Sequence, residues 1–214
     1  MGGIDPKTWG SSAWRLLHDI SFHIASTNTP GIYEQGKEFF MLLRHVLPCS
    51  KCQLAYDKHL LLLPFPTDSQ ALPKWVFKLH NRVNKDLKEH DNDVAPTWEK
   101  WHTSYPLKMR EHSMKQVWPF IQSIAETYPI GRLYDKKVYM ISMERFFILL
   151  WDFLSGMEGY NKDVSHLDDL INTDRMLKVL PSSKLFKAWV TMIGRRVYAP
   201  DAKMDKCDRA CIKN

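Results

Sequence analysis

Apolar residues recur along this chain at intervals of three and four, the spacing of one face of an α-helix, almost from end to end. Trp14, Leu17, Ser21, Ile24 and Ala25 share one face of a first helix that starts near Pro6 or Thr8. Asn28 to Gly31 interrupts it. Tyr33, Phe39, Phe40, Leu43, Val46 and Leu47 mark a second helix ending at Pro48. A third begins at the Cys49–Cys52 pair and stops at Pro64, where Pro64 and Pro66 predict a loop. Trp75, Val76, Leu79, Val83 and Leu87 make a fourth, and a polar stretch from His90 to Val94 separates it from a short helix carrying Trp98 and Trp101.

The second half reads the same way. Met114, Val117, Trp118, Ile121, Ile124 and Ala125 keep the helical spacing, as do Phe146, Phe147, Leu149, Leu150, Phe153 and Leu154. Leu167, Leu170, Ile171 and Leu177 predict one further helix, and Leu185, Trp189, Val190 and Ile193 a last one. Strand-like alternation shows only at Lys137–Ile141. The expectation is an all-α protein without internal repeats. Pro106, after the tryptophan segment, sets a boundary between a first helical domain, residues 1–106, and a second, residues 107–214.

Composition narrows the class. With 44% hydrophobic and 25% charged residues, eight Trp, ten Phe and ten Met, the chain has ample core material for a globular fold. Its formal charge of +6 is scattered, as in Lys85-Asp86-Leu87-Lys88-Glu89, so the expectation is a mixed solvated surface and no nucleic-acid partner. The longest apolar runs, Leu60–Leu63 and Phe146–Trp151, are too short for a membrane span. Met1-Gly2-Gly3-Ile4-Asp5-Pro6 has no apolar signal-peptide core, which predicts a chain not exported by that route and cytoplasmic.

The four cysteines fall in two tight pairs, Cys49/Cys52 and Cys207/Cys211, far apart in the sequence. That distribution excludes a disulfide-stapled mini-protein. In Pro48-Cys49-Ser50-Lys51-Cys52 the pair opens a helix, whose unpaired N–H groups and partial positive charge favour thiolate over thiol. Lys51 adds a cation. Such a pair fits a redox dithiol, half of a zinc site or a structural bridge. A thioredoxin-like setting is excluded because the preceding segment is helical and strands are scarce. No GxGxxG or other phosphate loop is present, so any flavin must be held by helices. His18 and His80 sit on otherwise apolar helix faces, and Asn81 and Asn84 lie beside His80. Such polar groups need partners if buried.

Trp9-Gly10-x-x-x-Trp14-x-x-Leu17-His18, followed by Pro48-Cys49-x-x-Cys52 and then Trp75-x-x-x-Leu79-His80-Asn81-x-Val83-Asn84, resembles the Erv/ALR sulfhydryl oxidases in motif order and spacing over residues 6–105. The resemblance implies a four-helix bundle with a short fifth helix, non-covalent FAD at the bundle mouth and a homodimer. It further implies that dithiol-containing proteins are oxidised and the electrons pass to oxygen, giving hydrogen peroxide. It makes Cys49 the exposed interchange cysteine and Cys52 the one beside the flavin ring. It assigns Gly10, Trp14, His18, His80, Asn81, Val83 and Asn84 to the cofactor, with Lys88 reaching a phosphate and Trp98 covering the adenine. Ser11 stands where the family often has Arg, and Leu87-Lys88-Glu89 where it often has Leu-Gly-Lys, so the phosphate contacts depart from the pattern.

The resemblance stops before residue 107. Cys207 and Cys211, four apart in a charged tail, are within disulfide reach on a helix. By the same resemblance they read as a shuttle dithiol that relays electrons to the core pair. The rival reading has the four cysteines hold zinc in a structural or interaction module, with no flavin; it leaves the Trp-Gly and His-Asn-Asn pattern unexplained. His166, Asp168 and Asp169 read as a solvated helix N-terminus, and residues 107–214 as a helical accessory domain. An Erv-type chain with extra helices resembles oxidases of large cytoplasmic DNA viruses, which places it in host cytoplasm or the virion.

Overall fold

The computed structural model describes residues 3–87, 96–128 and 136–200. Among them are ten helices and no strand beyond a single bridge between Gly3 and Cys49. α1 (Pro6–Ser26) has proline in its first turn and Asp5 as cap, its carboxylate accepting from the Lys7 N–H at 3.0 Å. α2 (Ile32–Val46) follows Gly31, whose φ of 80° is the left-handed conformation that suits glycine. α3 (Ser50–Leu62) opens at Cys49, and α4 (Leu72–Leu87) follows the proline loop.

α5 (Trp98–Met109) runs through Pro106, so the proline expected to end this segment lies inside the helix. Thr97 caps α5, its hydroxyl accepting from the Lys100 N–H. α6 (Met114–Thr127) starts at Ser113, whose N–H donates to the Gln116 side chain at 2.8 Å. α7 (Lys136–Gly156) absorbs Lys137–Ile141: the short alternation yields to the longer row of Tyr139, Met143, Phe146, Phe147 and Leu150, all buried at helical spacing.

The helix expected over Leu167–Leu177 is a turn leading into α9 (Thr173–Val179), and α8 (Glu158–Ser165) precedes that turn. Leu167 and Leu170 are buried in the turn between them, and Asn172 begins α9 by accepting from the Arg175 N–H at 2.8 Å. His166 ends α8, and Asp168 and Asp169 lie in the same turn, so none of the three opens a helix. α10 (Ser183–Tyr198) closes the described part.

One continuous core runs through both halves. α1 packs on α4 and α6, and α2 on α3 and α7. Phe39 of α2 stacks on Phe146 of α7 with centroids 4.9 Å apart and planes at 17°, and Trp9 of α1 meets Phe120 of α6 at 5.6 Å. At the rim Arg145 donates twice to Glu38, at 2.7 and 2.8 Å. No helix among the described residues is long and apolar enough to cross a membrane.

Candidate functional site

The cysteine pair is built into the α2–α3 corner. Pro48 ends α2, and Cys49 takes an extended backbone as the cap of α3. Cys49 and Cys52 form a disulfide with Cα atoms 5.1 Å apart. The Cys49 Sγ accepts from the Cys52 N–H at 3.2 Å, so a helix-end donor points at sulfur where negative charge appears on reduction. Both cysteines are half-buried, which leaves the expected greater exposure of Cys49 without a structural distinction, and Lys51 is exposed.

Two devices hold this corner. Gln53 is buried and donates from Nε2 to the carbonyls of His45 at 3.1 Å and Leu47 at 2.9 Å, tying the start of α3 to the end of α2. On the other side the Ile4 N–H donates to the Pro48 carbonyl at 3.0 Å, and the Trp9 indole donates to the Ile4 carbonyl at 3.2 Å. A Cβ on Gly3 would lie 2.7 Å from the Cys49 Cα, so only glycine lets this strand approach so closely.

A second grouping joins α1, α4 and α5. The Trp14 ring stacks on His80 with centroids 4.2 Å apart and planes at 11°. The His80 Nδ1 and His18 Nε2 share one hydrogen bond at 3.1 Å, one ring donating and the other accepting. His18 is buried, and its pKa is lowered well below the usual 6.5, first by desolvation and then by His80. Its Nδ1 is buried and has no hydrogen-bond partner among the described residues. From α5, Trp101 approaches His18 at 4.5 Å and Tyr105 at 5.4 Å. Trp98 lies against His102 at 4.7 Å and Phe77 at 5.5 Å, with the Lys74 ammonium 5.7 Å over its ring.

Of the residues singled out in the sequence, the structure thus brings Trp14, His18 and His80 into direct contact, with Trp98 at the edge of the same aromatic set. Gly10 lies one turn before Trp14, with open space where a Cβ would sit. Asn81, Val83 and Asn84 are half-buried on α4. Lys88, Cys207 and Cys211 lie outside the described residues.

Trp101, Tyr105 and Phe22 were not assigned to the site from sequence. Their signal was the row of aromatics Trp98, Trp101 and Tyr105 at helical spacing. Among the described residues no group of three or more metal-ligating side chains occurs, and sulfurs joined to each other do not serve as the thiolate ligands the zinc reading requires.

Comparison with known proteins finds similarity over the first half of the chain. A mitochondrial FAD-linked sulfhydryl oxidase of Saccharomyces cerevisiae is 29% identical over 97 residues, covering 45% of this chain and 51% of the yeast protein. A protein of Acanthamoeba polyphaga mimivirus, described as a probable FAD-linked sulfhydryl oxidase, is 31% identical over 85 residues, 38% of this chain and 59% of its own length. A protein of Invertebrate iridescent virus 3 with the same oxidase designation is 29% identical over 87 residues, 39% of this chain and 59% of its own. The chain therefore spans little more than half the length of these relatives. No solved structure matches it significantly. The sequence profile of the Erv1 / Alr family matches residues 11–106, from α1 to near the end of α5. Through that segment, somewhat less than half of its length, the chain is similar to the Erv1 / Alr family.

Proposed function

We propose that this protein is an FAD-dependent thiol oxidase that makes disulfide bonds in protein substrates. The observation that carries the reading is the Cys49–Cys52 disulfide at the start of α3, with a helix-end N–H on the Cys49 sulfur. A substrate thiolate attacks the Cys49 Sγ, forming a mixed disulfide and releasing Cys52 as thiolate. A second substrate thiolate then displaces Cys49, so the substrate leaves oxidised and the Cys49/Cys52 pair holds two electrons. The helix-end N–H on the Cys49 sulfur favours the thiolate that Cys49 becomes on this displacement. FAD bound here would supply a two-electron acceptor able to pass the pair to dioxygen, giving hydrogen peroxide.

The residues present suit such a group. The buried Nδ1 of His18 lacks a partner among the described residues, and the polar atoms of a flavin nucleotide would supply one. Trp14, His80, Trp98 and Trp101 offer flat faces, Gly10 leaves open space, and Asn81, Val83 and Asn84 supply half-buried lining. His18, kept neutral by burial, does not place a full charge beside the ring. Lys88 is proposed for a phosphate and Cys207/Cys211 for the shuttle, both on sequence grounds. The helices after residue 106 serve as an accessory layer, and the oxidase works as a homodimer.

The test is direct. The purified protein carries a flavin absorption spectrum and consumes oxygen with dithiothreitol, and Cys52→Ala abolishes consumption while keeping the flavin. Colourless wild-type protein, or a fully active Cys52→Ala, refutes the reading. A Cys207→Ala/Cys211→Ala variant keeps dithiothreitol oxidation and loses oxidation of a reduced protein; unchanged rates with both refute the shuttle.

A further inference from the structure

Asp19 stands directly after His18 on α1, and its side chain is fully buried. A carboxylate taken out of water costs several kcal/mol unless donors surround it, and this one has three. The Tyr105 hydroxyl donates at 2.8 Å, the His112 Nδ1 lies 2.8 Å from the second oxygen, and the Tyr160 hydroxyl donates to that same oxygen. Burial and the neighbouring carboxylate both push the Tyr105 and Tyr160 phenols upward, so each stays a donor. The donors come from different places. Tyr105 is on α5, His112 is in the α5–α6 turn and Tyr160 is on α8. Two of the three lie beyond residue 106, where the family match ends.

α5 depends on this contact more than other helices would. None of its residues is fully buried, so apolar packing holds it weakly. Its aromatic residues nonetheless form the wall of the His18 site: Trp101 and Tyr105 face His18, and Tyr105 stacks on Phe22 at 5.4 Å. Gly159 helps bring α8 to this point. A Cβ there would press on the backbone carbonyl of Met109 at 3.2 Å as well as on that of His112. The last turn of α5, the α5–α6 turn and α8 are therefore clasped together around one buried carboxylate.

We propose that Asp19 is a positioning residue through which the second half of the chain seats α5 against the cofactor site. His112 and Tyr160 hold the carboxylate, and the carboxylate holds Tyr105 and with it Trp101 over His18. The consequence for cofactor binding rests on the oxidase reading; the seating of α5 does not.

The experiment compares wild type with Tyr160→Phe and Tyr105→Phe by amide hydrogen exchange and by FAD dissociation from the full chain. Tyr160 is on α8, outside the proposed site, and its hydroxyl donates to the Asp19 carboxylate. Loss of one hydroxyl on a buried carboxylate is expected to speed exchange in residues 98–109 on the order of tenfold, with α2 and α3 unaffected. FAD retention falls by a comparable factor, and the visible circular dichroism of the bound flavin changes. Unchanged exchange in α5 with both variants overturns the proposal, as does an equal rise in every helix, which reports only global destabilisation. If wild type holds no flavin, the oxidase reading fails while selective loosening of α5 still upholds the role of Asp19.

Discussion

Acid should weaken this fold through His18, by an amount the structure bounds. Its imidazole is buried between α1, α4 and α5, facing His80, Trp101 and Tyr105, with Asp19 next in sequence. Desolvation, helped by His80, lowers its folded pKa well below 6.5. The unfolded chain therefore binds a proton that the folded chain refuses. Stability from this group is complete above the unfolded pKa and is lost as pH falls from there towards the depressed folded value. Within that window the slope approaches about 1.4 kcal/mol per pH unit, so lowering pH from about 7.5 to about 5.5 costs up to about 1.4 kcal/mol from His18 alone. Urea unfolding followed by circular dichroism across that range, on wild type and His18→Gln, isolates the effect. His23, His45 and His59 are also pulled down by burial, but they occur in both proteins and cancel in the difference. His80 is coupled to His18, so the difference belongs to the pair. The wild type should lose more stability on acidification than the variant. Parallel curves would refute the claim that a neutral His18 is a condition of the fold.

Other substitutions probe how the halves and the cysteine corner are held. Phe146→Ala removes a fully buried ring stacked on Phe39 and should cost about 3–5 kcal/mol. Its denaturation should remain a single transition because the core is shared, and two separated transitions would contradict that. Gly194→Ala sets a methyl 2.9 Å from the Trp118 Cε2, part of a rigid buried ring, so a loss of about 1–3 kcal/mol in urea unfolding is expected and no loss is the contrary result. Gln53→Leu deletes two hydrogen bonds to the α2–α3 corner but also an acceptor that has no partner, which narrows the loss to about 1–2 kcal/mol; thermal melts measure it. Glu38→Gln weakens a pair whose side chains are 40–42% exposed, and calorimetry should register under about 1 kcal/mol.

The helices were legible because each buries a stripe at its own period. Leu17, Ser21 and Ile24 of the expected α1 face are buried, with Leu16 and Ile20 beside them, and Phe39, Leu43 and Val46 line α2, so there local spacing and tertiary burial largely coincide. Reading failed where they diverge. Pro106 looked like a stop, but a helix tolerates proline where the preceding turn can give up a hydrogen bond, and the α5 clasp through Tyr105 sits one residue before it. Leu167 and Leu170 looked helical because a turn can bury leucines as well as a helix can. The contact pair Trp14 and His80 was found through motif spacing, whereas Asp19 was passed over: one acidic residue in an apolar helix shows its meaning only when donors 86 to 141 residues away are placed around it.

The distribution of packing across the helices has its own logic. α1, α2, α6 and α7 carry most of the buried apolar side chains and form a stiff frame. α3, which begins with the reactive cysteine pair, buries only Ser50, Gln53, Tyr56 and His59, each with a polar end, while Leu54, Leu61 and Leu62 face solvent. Its hold on α2 is correspondingly polar: the Tyr56 hydroxyl donates to the Phe40 carbonyl at 2.9 Å, Arg44 pairs with Asp57 at 2.7 Å, and Gln53 bridges the corner. Hydrogen bonds of this kind fix direction but contribute less free energy than buried apolar area, and local opening is cheapest where apolar contacts are few. The proposed exchange at the Cys49–Cys52 disulfide, through a mixed disulfide and back, calls for small displacements of its helix end without unfolding of the domain. An apolar α3 sunk into the core would resist those displacements and shield the sulfur. The chain places this disulfide on an element oriented by polar contacts and mounted on a frame held by buried apolar side chains.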